Sequence, residues 1–258
     1  MPPWYNKFMF SVSYRDHVQD EVLRLAAADP RVVAGAVVGS LALGGGDRWS
    51  DLDLTFAVAE GIALSDVLKD WTRDITEEFG AICLFEVPWG SAIYLVFLLP
   101  DCLQLDLSFA PASTFSPAGP NFKLLFGHTT LKPFPSAPSP SELFGYAVHY
   151  ALRARISIER GRYWSAEYWI SGARDYALSL ACRRRDLPSR YGKGFDDLPQ
   201  EVRDSFASAF VASLDREELL RALGCVIDSF IYEANCIGQF VEKVEPELRK
   251  LMVTSSLE

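Results

Sequence analysis

Residues 32–54 read VVAGAVVGSLALGGGDRWSDLDL, an apolar run that ends in Gly39-Ser40 and leads to Asp51-Leu52-Asp53. The β-branched residues before Gly39 are typical of a buried strand. Because side chains alternate along a strand, we expect Asp51 and Asp53 to share one face while Leu52 enters the core. Two adjacent carboxylates repel each other unless a cation lies between them. This pair is therefore a candidate metal site.

A third aspartate lies far downstream, in residues 103–109, LQLDLSF. The leucines on both sides of Asp106 indicate a strand with one buried face. If this strand lies beside the first pair in one sheet, three carboxylates form an oxygen-rich site suited to Mg²⁺. Asp106 then either completes the metal site or takes the proton from an attacking hydroxyl. Glu86 is a second candidate base, although a surface glutamate at a strand end fits the same pattern.

Gly39-Ser40 lies where the first predicted strand turns into Leu41-Ala42-Leu43. Such a turn exposes backbone N–H groups and the Ser40 hydroxyl, which together can cradle a phosphate. Gly39 would let the backbone approach the phosphates closely. The turn is not a Walker A motif, because no Gly-Lys-Ser/Thr follows it.

Gly-Ser, the Asp-Leu-Asp segment ten residues later and the distant strand aspartate resemble the polymerase-beta-like nucleotidyltransferase superfamily. The likeness extends to its small bacterial aminoglycoside and lincosamide nucleotidyltransferases, and covers residues 14–126. It implies an enzyme that uses Mg²⁺, with two ions expected, to transfer AMP from ATP, or a monophosphate from another nucleoside triphosphate. The acceptor would be a hydroxyl of a small molecule such as an aminoglycoside-like antibiotic, and pyrophosphate would leave.

The resemblance also implies roles for individual residues. Gly39 and Ser40 would hold the triphosphate, Asp51 and Asp53 would bind the metals, and Asp106 would complete the site and activate the acceptor hydroxyl. The acceptor would lie in the cleft between two domains.

Periodicity predicts an α/β (α+β) domain over residues 1–126, with a mixed sheet flanked by helices. A Pro-rich linker follows at 127–140, and a helical bundle at 141–258. The resemblance implies that the first is the nucleotidyltransferase domain and the second the substrate-binding domain. The stretch 110–141 as a whole is expected to lack long regular structure. Predicted helices cover 14–28, 64–79, 141–160, 165–185, a segment starting at 199, and 215–244; predicted strands cover 32–38, 51–58, 81–87, 91–99 and 103–109.

The helical half contributes three further candidates. Lys193, between two glycines, is a candidate cation for the triphosphate, and a solvated loop lysine is the alternative. Glu167 and Asp175 accompany Trp164, Tyr168 and Trp169 on one predicted helix. Carboxylates and aromatic faces both attract ammonium groups, so these residues are candidates for binding a cationic acceptor, with core packing as the alternative.

The net charge of −9 over 258 residues argues against a nucleic-acid partner, because phosphate backbones are bound by clustered Lys and Arg. No apolar run approaches the ~20 residues that span a membrane, and the five cysteines form no Cys-x-x-Cys pair. We therefore expect a cytoplasmic protein with a small-molecule partner.

Two other functions fit the same residues. The chain could transfer the nucleotide to a partner protein, as the nucleotidyltransferases of toxin–antitoxin pairs do, or it could bind nucleotide without turnover. The intact set of three aspartates argues against the second alternative.

Overall fold

The computed structural model describes residues 9–130 and 136–252. The chain divides into two compact units, Met1–Pro135 and Ser136–Glu258. Of the predicted linker at 127–140, residues 131–135 lie outside the described part. None of the helices in the described ranges is both long enough and apolar enough to cross a membrane.

In its described part, the first unit is a six-stranded mixed sheet with two α-helices. The elements are α1 Val12–Ala28, β1 Val32–Val38, β2 Leu52–Val58, α2 Leu64–Phe79, β3 Ile82–Trp89, β4 Ala92–Leu98, β5 Gln104–Pro111 and β6 Phe122–Phe126. The strand order is β3-β4-β5-β2-β1-β6, in which β2 and β5 are parallel and the other neighbours antiparallel. The predicted fold class, a mixed sheet with helices followed by a helical second half, is confirmed.

The two central strands, β2 and β5, separate an apolar face from a polar one. One face enters the main core of the unit, where Phe56 and Phe109 contact the ring of Trp71 from α2. The leucines and phenylalanines of this face are fully buried: Leu52, Leu54, Phe56, Leu105, Leu107 and Phe109. The intervening residues point to the opposite face, as the period of two requires. The functional candidates Asp53 and Asp106 belong to that opposite face.

The strand β6 lies in the stretch for which no long regular structure was expected. It pairs antiparallel with β1, and Gly35 leaves the space that the Phe126 ring occupies. A Cβ at Gly35 would lie only 2.5 Å from that ring. The expectation missed this short strand because its partner, rather than its own composition, stabilises it.

The second unit contains five α-helices in its described part: α3 Pro140–Glu159, α4 Tyr163–Arg183, α5 Gln200–Ala207, α6 Arg216–Glu233 and α7 Gln239–Leu251. The helix α3 begins with a capping box between Ser139 and Glu142, two residues before the predicted start. A short turn joins α3 to α4, and α6 packs against both. Both helices contribute small, fully buried side chains to the core of the unit: Ala147, Ala151, Ala154, Ala166, Ala173 and Ala177.

The single helix predicted over 215–244 is wrong. The chain forms α6, then a short 3-10 segment at Ala234–Ile237, and then α7. Gly238 separates the helices with φ 65° and ψ −131°, a backbone conformation that essentially only glycine adopts. Continuous apolar periodicity concealed the break, because both helices bury residues against the same core.

Candidate active site

Three aspartates come together on the polar face of the sheet. The parallel pairing of β2 with β5 places Asp53 directly beside Asp106. Asp51 immediately precedes β2, whereas the sequence pattern had the strand begin at Asp51 itself. One carboxylate oxygen from each residue lies within 4.8 Å of the other two, and all three residues are partly buried. Two oxygens on opposite sides of one Mg²⁺ would be about 4.2 Å apart, so the spacing fits a shared cation after small side-chain adjustments.

Asp106 has an unfavourable environment for a negative charge. Burial raises the pKa of Asp106, and the negative charge of Asp51 raises it further. The side-chain amide of Gln104 opposes this effect by donating to both carboxylate oxygens, at 3.0 and 3.2 Å. The neighbouring Leu105 and Leu107 are fully buried, and β5 lies inside the sheet between β4 and β2. Asp106 is therefore not a solvated residue on an edge strand.

A hydroxyl pair continues the polar face next to the aspartates. Ser108 is paired with Thr55 in the same parallel register, and the Ser108 hydroxyl lies 2.8 Å from the Thr55 hydroxyl. Ser108 is only 3% exposed. This hydrogen bond joins β2 to β5 one step beyond Asp53 and Asp106, and so helps to fix the separation of the two carboxylates.

The glycine of the Gly39-Ser40 turn packs against the carboxylate cluster. Gly39 has φ 70°, and a Cβ there would lie 2.1 Å from Oδ2 of Asp53. Gly39 opens a 3-10 helix, Gly39–Leu43, which ends at Gly44. The predicted reason for Gly39 was close approach to a phosphate. The structure adds a requirement that the sequence did not indicate, which is space for the Asp53 carboxylate.

Arg15 of α1 supports the loop that carries the chain into Asp51. Its guanidinium donates to the carbonyl oxygens of Asp47 and Ser50, at 2.6 and 3.2 Å. Arg15 is 6% exposed. Sequence reasoning missed this residue. The available signal was its position three residues before Val18, on the buried face of α1.

Glu86 is not brought to the carboxylate cluster. It lies on the edge strand β3 opposite Leu95, and Leu95 lies opposite Leu107. Residues that are paired across a sheet share a face, so Glu86 belongs to the row of Leu107 and not to that of Asp106. Asp106 is therefore the better placed candidate base.

The remaining candidates lie in the helical unit. Lys193 is exposed in the loop before α5. Glu167 accepts a hydrogen bond from the Ser171 hydroxyl at 2.6 Å. Asp175 lines a cavity of this unit, as does Tyr168. Trp164, 79% exposed, is not a core residue, and Trp169 packs edge-on against Tyr150.

No protein-family model and no curated protein matches the sequence. Among solved structures, the chain is similar to the crystal structure of an aminoglycoside 6-adenyltransferase from Bacillus subtilis, with 11% sequence identity and a TM-score of 0.41. The match covers 92% of this chain and 97% of that chain. A likeness at this level carries nothing about substrate or chemistry.

Arg15→Ala should disturb the site without unfolding the sheet. Loss of the two hydrogen bonds frees the loop before Asp51, and loss of such a supporting contact typically lowers metal affinity or activity about 10–100-fold. Titration with Mn²⁺ and circular dichroism measure the two effects separately. The control is Arg24→Ala on the same helix, where the guanidinium pairs with Glu21 at the surface. Equal metal affinity in both variants would contradict the supporting role.

Asp106→Asn should stabilise the metal-free protein at pH 7. Because the folded-state pKa of Asp106 is raised, its ionised form costs stability at every pH above that raised value. The gain should shrink as the pH falls through the raised pKa and vanish below the ordinary value of 3.8, where the folded and unfolded states are both protonated. Thermal melting in EDTA measures it. Asp20→Asn, at an exposed position on α1, is the control and should show no such pH-dependent gain.

Proposed function

We propose that this protein is a metal-dependent nucleotidyltransferase that moves a nucleoside monophosphate, AMP from ATP in the first instance, to a hydroxyl of a small acceptor. The carboxylate cluster formed by Asp51, Asp53 and Asp106 is the observation that supports the proposal. Neighbouring carboxylates that face solvent beside a glycine-serine turn suit a substrate that brings both phosphate and cation.

The donor set fits Mg²⁺. All three residues offer oxygen atoms, and hard divalent cations prefer oxygen ligands. Burial, and to a smaller extent the negative charge of Asp51, raises the pKa of Asp106, and positive charge at the same place would favour the ionised carboxylate. In this proposal Asp51 and Asp53 would hold two ions, and Asp106 would complete the site. When bound, such ions stabilise the charge that develops on the transferring phosphoryl group and on the leaving pyrophosphate.

Asp106 would also act as the general base. The acceptor hydroxyl loses its proton to the Asp106 carboxylate while its oxygen bonds to the α-phosphorus. The bond from that phosphorus to the bridging oxygen breaks, and pyrophosphate leaves with the electron pair. Asp106 suits this role because it is held in place by the Gln104 amide and by the interior position of β5.

Gly39 and Ser40 would hold the triphosphate beside the metal ions. Ser40 is exposed and directly follows Gly39, where an added Cβ would meet the Asp53 carboxylate. We include Lys193 as a further cation for the triphosphate. Its test is an increased KM for the nucleotide in Lys193→Ala.

We propose an aminoglycoside-like acceptor on the basis of the sequence resemblance. The direct test incubates the protein with labelled ATP, GTP, CTP and UTP, with Mg²⁺, against a panel of aminoglycosides and lincosamides. Transfer of label to a panel member, with release of pyrophosphate, supports the proposal. Label on a co-purifying protein would replace it with protein modification, and nucleotide binding without any product would replace it with a binding module.

Two substitutions at the cluster separate chemistry from metal binding. Asp51→Asn should abolish transfer and leave metal-free melting unchanged or slightly raised, because it removes a like charge. Asp106→Asn should lower kcat by ~10²–10⁴ with Mg²⁺-ATP affinity nearly intact if it acts chiefly as the base. If it acts chiefly as a ligand, affinity and kcat should fall together. Full turnover in Asp51→Asn would refute the metal assignment.

The turn offers a comparison between two glycines. Gly39→Ala should displace the Asp53 carboxylate and weaken Mn²⁺ binding, whereas Gly44→Ala should not. Both residues have left-handed backbones, with φ 70° and 75°, but a Cβ at Gly44 meets nothing within 4 Å. Ser40→Ala should instead weaken nucleotide binding, by ~1.5–3 kcal/mol for one lost bond to a charged oxygen. Calorimetry with Mn²⁺ measures the first effect, and calorimetry with ATP measures the second. If all three variants kept the Mn²⁺ and ATP affinities of the unmodified protein, the phosphate site would have to lie elsewhere.

A further inference from the structure

The face of the sheet that carries the carboxylate cluster continues to the edge strand β3. The antiparallel register places Asp106 opposite Val96 of β4, and Val96 opposite Phe85 of β3. Residues that are paired across a sheet share a face, so Phe85 lies on the same face as Asp106. Because neighbouring strands are about 4.8 Å apart, the backbones of Phe85 and Asp106 are separated by about 10 Å.

The part of this face that β3 contributes is apolar and exposed. Val87 and Trp89 follow Phe85 at steps of two residues and therefore share its side of the strand. Ile82 joins them, because its partner Leu98 is paired in turn with Gln104 in the row next to Asp106. We call these four side chains the apolar platform: Ile82, Phe85, Val87 and Trp89 are 61, 52, 44 and 51% exposed.

The apolar platform carries no charge, and one of its rings is packed against a neighbour. Glu86 is the single charged residue of β3 and β4, and it lies on the opposite face, in the row of Leu107. The rings of Trp89 and Tyr94 are 5.7 Å apart. Exposed aromatic and aliphatic side chains that adjoin one another indicate a binding surface for an apolar group.

The strand order indicates which substrate would lie on this surface. Gly39 directly follows β1, which adjoins β2 on the side away from β5, whereas the apolar platform lies beyond β5. In phosphoryl transfer the attacking and leaving oxygens lie roughly in line, on opposite sides of the phosphorus. With the triphosphate at Gly39 and Ser40, the acceptor hydroxyl would therefore arrive from the side of Asp106 and the apolar platform.

We propose that the apolar platform binds the acceptor, and that the acceptor is an alcohol with an uncharged apolar ring within about 10 Å of its hydroxyl. A ring that packs against Phe85 and Trp89 removes apolar surface of both partners from water. The amino groups of an aminoglycoside would meet no carboxylate on the apolar platform, so the geometry favours another acceptor class than the resemblance does. The inference rests on the proposed function and narrows its acceptor.

The first test measures binding without nucleotide or Mg²⁺, with the full-length protein and 4-phenyl-1-butanol as the probe. Its control is 1-butanol, which keeps the hydroxyl and the chain but lacks the ring. We expect the methyl NMR resonances of Ile82 and Val87 to shift with an affinity at least roughly tenfold higher for the phenyl alcohol. Equal affinities for the two alcohols, or no shift at millimolar concentrations, would overturn the proposal.

Matched variants locate the binding surface in the same titration. Phe85→Ser should weaken binding of the phenyl alcohol roughly fivefold, because it removes a ring from the apolar platform. Ile82→Ser should act in the same direction, whereas Ile62→Ser, the same change at an exposed position in the loop before α2, should not. Val87→Thr keeps the β-branched shape that a strand favours and should also weaken binding. Unchanged affinity in Phe85→Ser and Val87→Thr would refute the assignment.

The transfer assay separates acceptor binding from nucleotide binding. With labelled ATP and Mg²⁺, Phe85→Ser should raise KM for the phenyl alcohol roughly fivefold and leave KM for ATP unchanged. A raised KM for ATP alone would place the nucleobase on the apolar platform and overturn the assignment to the acceptor. A dimer that Phe85→Ser converts into a monomer, measured by analytical ultracentrifugation, would assign the surface to a second copy of the chain instead.

Two outcomes separate this inference from the proposed function. Binding of the phenyl alcohol at Ile82 and Val87 without transfer to any alcohol would retain the apolar platform as a binding surface and reject the enzyme. Transfer to aminoglycosides at a rate that Phe85→Ser leaves unchanged would retain the enzyme and overturn the inference.

Discussion

The parallel register between β2 and β5 holds three carboxylates together against their mutual repulsion. Burial and the negative charge of Asp51 both raise the pKa of Asp106, so its ionised carboxylate costs stability in the absence of a cation. The apolar face of the same two strands, buried against α1 and α2, offsets that cost. Core packing on one side of the sheet thus keeps a charged site in place on the other side, where a cation would relieve the repulsion.

The surroundings of the cluster are arranged around the same constraint. Gly39 leaves room for the Asp53 carboxylate, and Arg15 fixes the loop before Asp51. The hydrogen bond between Thr55 and Ser108 joins β2 to β5 two residues further along each strand. Each contact links segments that are distant in the chain. A site whose oxygens must match the coordination distances of a small cation requires such support, because a shift of less than 1 Å changes which oxygens reach the ion.

The helical unit follows a different packing principle. Fully buried alanines and phenylalanines fill its core, and several tyrosines line a cavity of the same unit. This core is completed by α6 and by the residues that follow Gly238. The helical unit therefore has a core of its own, separate from that of the sheet unit.

The elements whose signals are local could be predicted from the order of the amino acids. Alternation placed Asp53 and Asp106 on polar faces, β-branched runs marked the strands, and Gly80 marked the end of α2. Four features became evident only in the folded protein: the strand β6, the break at Gly238, the position of Glu86 and the supporting role of Arg15. Periodicity reports which face of an element is buried, whereas register and contact between distant segments depend on the partner surface, which no local pattern encodes.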